Sequence, residues 1–375
     1  MKWLWMLVIM CFPLPAMAET LQESAQQLIA SLEMDVLGRA AQETGWFEGN
    51  AAELIGRLAR GETLLDAEEL CRWLWQKAAG IFRSSLWRMS RLMIPALLAG
   101  CTQWLQSKES AASQAARWAG LMMAMAFLTA DLQEHTALCK QTVETMSDWM
   151  QALFPLMVTL LAAVGGSASA SFYQPAVMAA AGSMTTLVGR VTMPLAVSVA
   201  VLSVAGSISD GFRVSRLCKL LRQAACWSIG LGFTVFIGVM TVQGIGAAGV
   251  DGISIRTAKF AMDRFIPIVG GMFADTVDTL VGCSLVVNNA LGVFGLILLL
   301  GALLVPLMRM ALTMLMYRAA AALMEPVADG PLLRAIGGFA DVFQLLFVIQ
   351  LSVGAMFMLL VAQLLMAANW TVMLR

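Results

Sequence analysis

Two carboxylates three residues apart, Asp275 and Asp278, stand inside an apolar run, FIPIVGGMFADTVDTLVGCSLVVNN, at positions 265–289. On a helix that spacing puts both on roughly one face. An aspartate at the centre of a membrane span costs about 2.5–3.5 kcal/mol on insertion scales, so it faces protein or water rather than lipid. Such groups line a polar path, hold a coupling ion or make a specific helix contact. Thr276, Thr279, Ser284, Asn288 and Asn289 extend the polar series, and Gln344, Gln350 and Gln363 punctuate the last apolar stretch. Arg190 and Arg309 are candidate partners for the two acids. A structural expectation stands against the functional one. The same groups would hydrogen-bond between helices and fix their packing, typically at under about 1 kcal/mol per contact.

Other chemistries lack their residues. No lysine follows a glycine, so the G-x-x-x-x-G-K-[ST] phosphate loop is missing and the chain carries no nucleotide-driven motor of that type. His135 is the only histidine, which removes H-E-x-x-H metalloprotease sites and histidine-rich metal clusters. It falls in a polar stretch, 131–148, that reads as a loop, and an exposed side chain is expected there. An intramembrane aspartyl protease needs two aspartates from separate helices sharing a proton, whereas Asp275 and Asp278 share one helix. The expectation is a non-enzymatic protein without cofactor or metal.

The elements that must position the acids are broken apolar helices. Pro267 and Gly270-Gly271 interrupt the run just before Asp275. Earlier in the chain, Phe154-Pro155-Leu156 leads to Val164-Gly165-Gly166, an echo of Phe265-Ile266-Pro267 leading to Val269-Gly270-Gly271. Paired Gly/Pro-interrupted spans in two halves hint at a repeat-built transporter core. Pro155, Gly165, Gly166, Pro267, Gly270 and Gly271 are therefore read as helix breaks.

Composition sets the class. The 375 residues are 59% hydrophobic and 13% charged, with no formal net charge. Burying that much apolar surface calls for a bilayer, and no long basic run suggests nucleic acid. Residues 1–18 read as a secretory signal: Lys2, an apolar core from Leu4 to Phe12, and Ala16-Met17-Ala18 as a cleavage site. Residues 19–85, with eleven acidic and six basic side chains, read as an exported helical region with turns at Gly45, Gly49-Asn50 and Gly61. The remainder, 86–375, reads as an all-α multi-pass domain of seven to nine spans, near 86–106, 116–131, 149–167, 174–189, 191–208, 224–243, 265–287, 290–308 and 342–368. The fourth and fifth are either a tight hairpin or one long broken helix. The basic segment 209–223 is expected in the cytoplasm and the acidic segment 131–148 outside. Cys71 and Cys139 would then both lie outside, where a disulfide between them is conceivable.

The run 265–271 together with Asp275, Asp278, Val281-Gly282-Cys283-Ser284, Asn289 and Gly292 resembles the stage III sporulation protein AE family. Leu153-Phe154-Pro155-Leu156 and Gly165-Gly166 fit the same pattern, as does the order of signal, exported region and multi-pass body. The resemblance covers about 149–370 well and is architectural only over 19–90. It implies a permease-like component of the mother-cell membrane around the forespore, with its N-terminal region extracytoplasmic. The partners it implies are a separate secretion-type ATPase, ring-forming sister membrane proteins and a forespore-side protein. It supplies no catalytic residues. A stand-alone secondary transporter of a small solute and a structural membrane scaffold remain the alternatives.

Overall fold

The computed structural model describes residues 35–44, 50–64, 67–105, 111–208, 214–265, 270–326 and 330–373. Among these the secondary structure is helical, with no strand. The order is α1 (Asp35–Thr44), α2 (Ala51–Ala59), α3 (Ala67–Leu105), α4 (Ala111–Ala163), α5 (Ser167–Leu187), a π turn (Val188–Thr192), α6 (Met193–Ile208), α7 (Ser215–Phe265), α8 (Gly270–Met324) and α9 (Gly330–Met373). Residues 1–18 and Pro267 lie outside the described residues.

Of the turns anticipated between the first helices, those at Asn50 and Gly61 are present, while Gly45 and Gly49 lie outside the described residues. Asn50 caps α2 from extended backbone, and Gly61, at φ 77°, closes the turn after it. There the Arg60 and Arg57 side chains hydrogen-bond the exposed Glu62 and hold its carboxyl below the usual range. α3 then runs through position 85 without interruption.

The apolar body is a polytopic helical membrane domain built from fewer, longer elements than the hydropathy pattern suggested. Among the described residues five helical stretches are long and apolar enough to cross a membrane: Trp118–Ala163, Ser167–Gly206, Ser215–Gln243, Thr279–Met324 and Pro331–Met373. α4 alone has 53 residues. At 1.5 Å per residue such a helix is about 80 Å long, against a hydrocarbon core of about 30 Å. These helices therefore reach well beyond the bilayer.

Three expectations fail here. The segment 131–148 is the helical middle of α4, not a loop. Its Leu, Gln, Glu, Ala and Lys are good helix formers, and Lys140 pairs with Glu144 one turn on at 3.6 Å. The buried period runs straight through it at Leu132, His135, Cys139, Val143, Met146, Met150 and Leu153. Pro155 does not break α4 either. Its ring lies on the exposed face, and its carbonyl accepts the Thr159 hydroxyl at 2.8 Å. The carbonyl that loses its N–H partner is that of Gln151, one turn back, and membrane helices tolerate such a gap through local adjustment. The spans read as 265–287 and 290–308 likewise fall on one helix over the described part, since α8 continues through Asn288 and Asn289.

The fourth and fifth spans form one helix with a π turn. Pro194 lacks an N–H, and its ring would press on the carbonyl one turn back, so the backbone widens around Gly189-Arg190. α9 is the hub and packs against α8, α4, α6 and α7. Cys139 is fully buried and Cys71 is exposed, both as free thiols, so no disulfide joins them.

Candidate functional site: a charged layer and a capped helix break

The middle of α4 meets α8 and α9 in a layer of polar side chains. His135 is fully buried, not exposed as its loop-like surroundings suggested. Its Nδ1 lies 2.7 Å from the Asp131 carbonyl, which can only accept, so Nδ1 carries the proton. Nε2 is 3.0 Å from Thr313 Oγ1 and, in the neutral ring, accepts that hydroxyl. Phe343 meets the imidazole edge-on at 5.0 Å and stacks obliquely on Tyr317 at 4.9 Å. The Tyr317 hydroxyl donates to the Asp131 carboxylate.

Two ion triads flank this cluster, each with two guanidiniums on one carboxylate. In the first, Arg88 of α3 and Arg309 of α8 approach the same Glu134 oxygen at 3.1 and 3.8 Å. In the second, Arg222 of α7 and Arg318 of α8 approach Asp341 of α9 at 2.7 and 4.0 Å. Both arginines of the second triad also donate to Gln344, at 3.2 and 2.7 Å. These pairs are partly exposed, so each adds about 1 kcal/mol or less. Their larger effect is to tie α3, α4, α7 and α9 to α8 at two points nine residues apart on that helix. Arg222 joins Asp341, two residues from the Phe343 that touches His135. Adjacent residues of α8, Tyr317 and Arg318, thus reach Asp131 of α4 and the Asp341 that Arg222 of α7 engages. Arg309 faces Glu134.

The second feature is the break between α4 and α5. Gly165, at φ +100°, adopts the left-handed conformation that ends a helix. Its N–H bonds the Ala162 carbonyl at 3.0 Å, and the Gly166 N–H bonds that of Leu161 at 2.9 Å. A Cβ on Gly166 would sit 2.8 Å from Leu161. The chain thus leaves the α-helix at Gly165 and Gly166. As the N-cap residue of α5, Gly166 offers no side chain to the free N–H groups of the first turn. Asp251 of α7 supplies it from 82 residues away. Its two carboxylate oxygens accept the Ser169 and Ala168 N–H groups at 2.9 and 2.8 Å, and the side chain is fully buried. A carboxylate at this position also meets the positive end of the helix dipole.

The polar residues singled out in the sequence are dispersed. Asn289 exchanges two amide hydrogen bonds with Asn369 of α9, at 3.3 and 3.2 Å, which makes it a helix contact. Asn288 is fully buried with neither amide atom paired, and so is Gln350. Gly270 and Gly271 open α8. Asp275 and Asp278 lie on the same helix, but their side chains are outside the described residues. Asp251 and the His135 cluster escaped the sequence reading. The signal for Asp251 was a lone acid amid glycine and alanine just past an apolar run. For His135 it was a position on the buried period of α4. No group of three or more potential metal ligands occurs among the described residues.

Comparison with known proteins gives a concordant result. The chain is 28% identical over 370 residues to "Stage III sporulation protein AE" of Bacillus subtilis (strain 168), covering 96% of this chain and 92% of that one. No solved structure matches it. The family profile described as stage III sporulation protein AE matches residues 50–368. A match of that extent, on a helical body with these glycine breaks and interhelical amides, places the chain in the stage III sporulation protein AE family, whose members are involved in sporulation.

Proposed function

We propose that the protein is a permease-like, non-enzymatic component of a transport or secretion assembly in the mother-cell membrane around the forespore, energised by a separate subunit. The main support is the helix break at Gly165-Gly166, with its N-terminus turned toward the buried carboxylate of Asp251. Irregular backbone in a membrane protein persists where protein or a polar cavity satisfies it, and half-helix ends of this kind build solute and ion sites in transporters. The missing phosphate loop agrees with energy arriving from an ATPase partner. Ring-forming sister proteins would complete the conduit. Asp275 and Asp278 are assigned to the polar path.

The test is a pull-down of the tagged protein from sporulating cells during engulfment, with partners identified by mass spectrometry. Recovery of an ATPase and ring-forming membrane proteins is expected. Recovery of the protein alone from membranes where it is abundant would move the assignment to a stand-alone secondary transporter. Within the assembly reading, Asp275→Asn combined with Asp278→Asn should block forespore development while membrane insertion continues. Normal sporulation by that double variant would remove the two acids from the path.

A further inference from the structure

The start of α7 breaks a local rule. Arg216, Lys219 and Arg222 occupy its first two turns, and no acidic residue stands in the first. The helix dipole already makes that end positive, so cations there are unfavourable and an anion is favoured. The same end opens into a cleft of about 720 Å³ between α6, α7 and α9. Arg216, Lys219, Arg222 and Arg334 line it, with Asp341 as the carboxylate on its wall. Asp341 is engaged by Arg222 at 2.7 Å. No ion pair ties down Arg216 or Lys219 among the described residues.

Below the cleft the character of α7 changes. A shallow, open groove on the outer face of α7 runs along Cys226, Trp227, Gly230, Leu231, Thr234 and Val235. Arg222, Cys226 and Gly230 follow at four-residue spacing, so the groove continues the face that carries the cationic cleft. Trp227, Leu231 and Val235 are 68%, 64% and 56% exposed on a helix apolar enough to cross a membrane. Tryptophan at the boundary between charge and apolar surface is the usual arrangement at headgroup depth.

We propose that this surface binds an anionic phospholipid. The phosphate lies in the cleft with Arg216 and Lys219, and an acyl chain runs along the Gly230 groove. Basic pockets between membrane helices recognise lipid headgroups in this way. A soluble anion or an acidic protein segment would use the cleft but leave the groove idle, and the continuity of the two favours lipid.

The experiment uses the purified full chain in mixed micelles with equal phosphatidylglycerol and phosphatidylcholine, with retained lipid read by native mass spectrometry. Preferential retention of phosphatidylglycerol is expected. Arg216→Gln with Lys219→Gln should lower it about thirtyfold, at roughly fivefold per interfacial charge. Gly230→Leu gives a second arm in a variant expected to fold, because a Cβ there meets nothing within 4 Å. It should lower lipid retention while inorganic phosphate, titrated alone, binds no worse. Equal retention of the two lipids would overturn the proposal. So would undiminished retention in both variants, or displacement by inorganic phosphate as efficient as by a short-chain phosphatidylglycerol.

Discussion

α9 and α7 are both apolar enough to cross a membrane, yet the fold treats them oppositely. α9 buries one long face: Phe339, Phe343, Leu346, Ile349, Val353 and Phe357 are almost wholly buried. α7 turns Trp227, Leu231, Val235 and Val242 outward. Apolarity cannot make this choice, because lipid tails solvate leucine as well as another helix does. Shape makes it. A Cβ added to Gly354 of α9 would run into Leu303, one added to Gly292 of α8 into Leu365 and one added to Gly232 of α7 into Leu187, while Gly230 and Gly238 on another face of α7 meet open space. Where the glycines admit a neighbouring leucine the helices close up. At Gly230 and Gly238 they admit nothing, and that face of α7 is left to lipid.

The largest test of that contrast is at the glycines themselves. Gly292→Leu or Gly354→Leu should cost about 1–3 kcal/mol through overpacking, and Gly238→Leu no more than about 0.5 kcal/mol. Denaturant unfolding of the detergent-solubilised protein, followed by circular dichroism, would measure both. Equal losses at all three sites would mean that packing does not separate the two helices.

Next in size is Asp251, the fully buried polar hold on α7. Asp251→Ala should cost about 1–2 kcal/mol by removing the cap on α5. It should also speed hydrogen exchange at the Ala168 and Ser169 amides. Unchanged exchange there would show that the carboxylate does not hold the break.

Smaller again is Thr313→Val, which takes the hydroxyl from His135 Nε2 and should cost about 1 kcal/mol. A shift of the imidazole nitrogen resonances should accompany it, and its absence would refute the assigned tautomer. The least effect is expected of Glu134→Gln. That change leaves Arg88 and Arg309 without their shared anion at a partly exposed site, for about 0.5–1 kcal/mol. High salt should erase the difference; a loss independent of salt would mean that the triad works through packing.

Legibility followed the range of each interaction. The Gly165-Gly166 break and the turns at Asn50 and Gly61 were readable because backbone conformation at a glycine or an N-cap is set within a few residues. Pro155 misled for the opposite reason. Whether a proline ends a helix depends on neighbours that the local pattern does not contain. The segment 131–148 misled because charge density reads as a loop when only one face is counted. His135 shows what was overlooked, a polar residue keeping the buried period between Leu132 and Cys139.

From sequence alone, the chain had to be an all-helical membrane protein without a phosphate loop, and its residues already carried the family resemblance. Apolar content, helical period and missing motifs are local or additive properties, readable one residue after another. Only the tertiary structure decided that Asp251 caps a helix 82 residues away, that His135 meets Thr313 across 178 residues, and that two arginines converge on each of Glu134 and Asp341. Those pairings depend on which helices lie side by side and at what register. Van der Waals fit between helix faces, close at glycines such as Gly292 and Gly354, contributes to both, and it exists only once the helices have met.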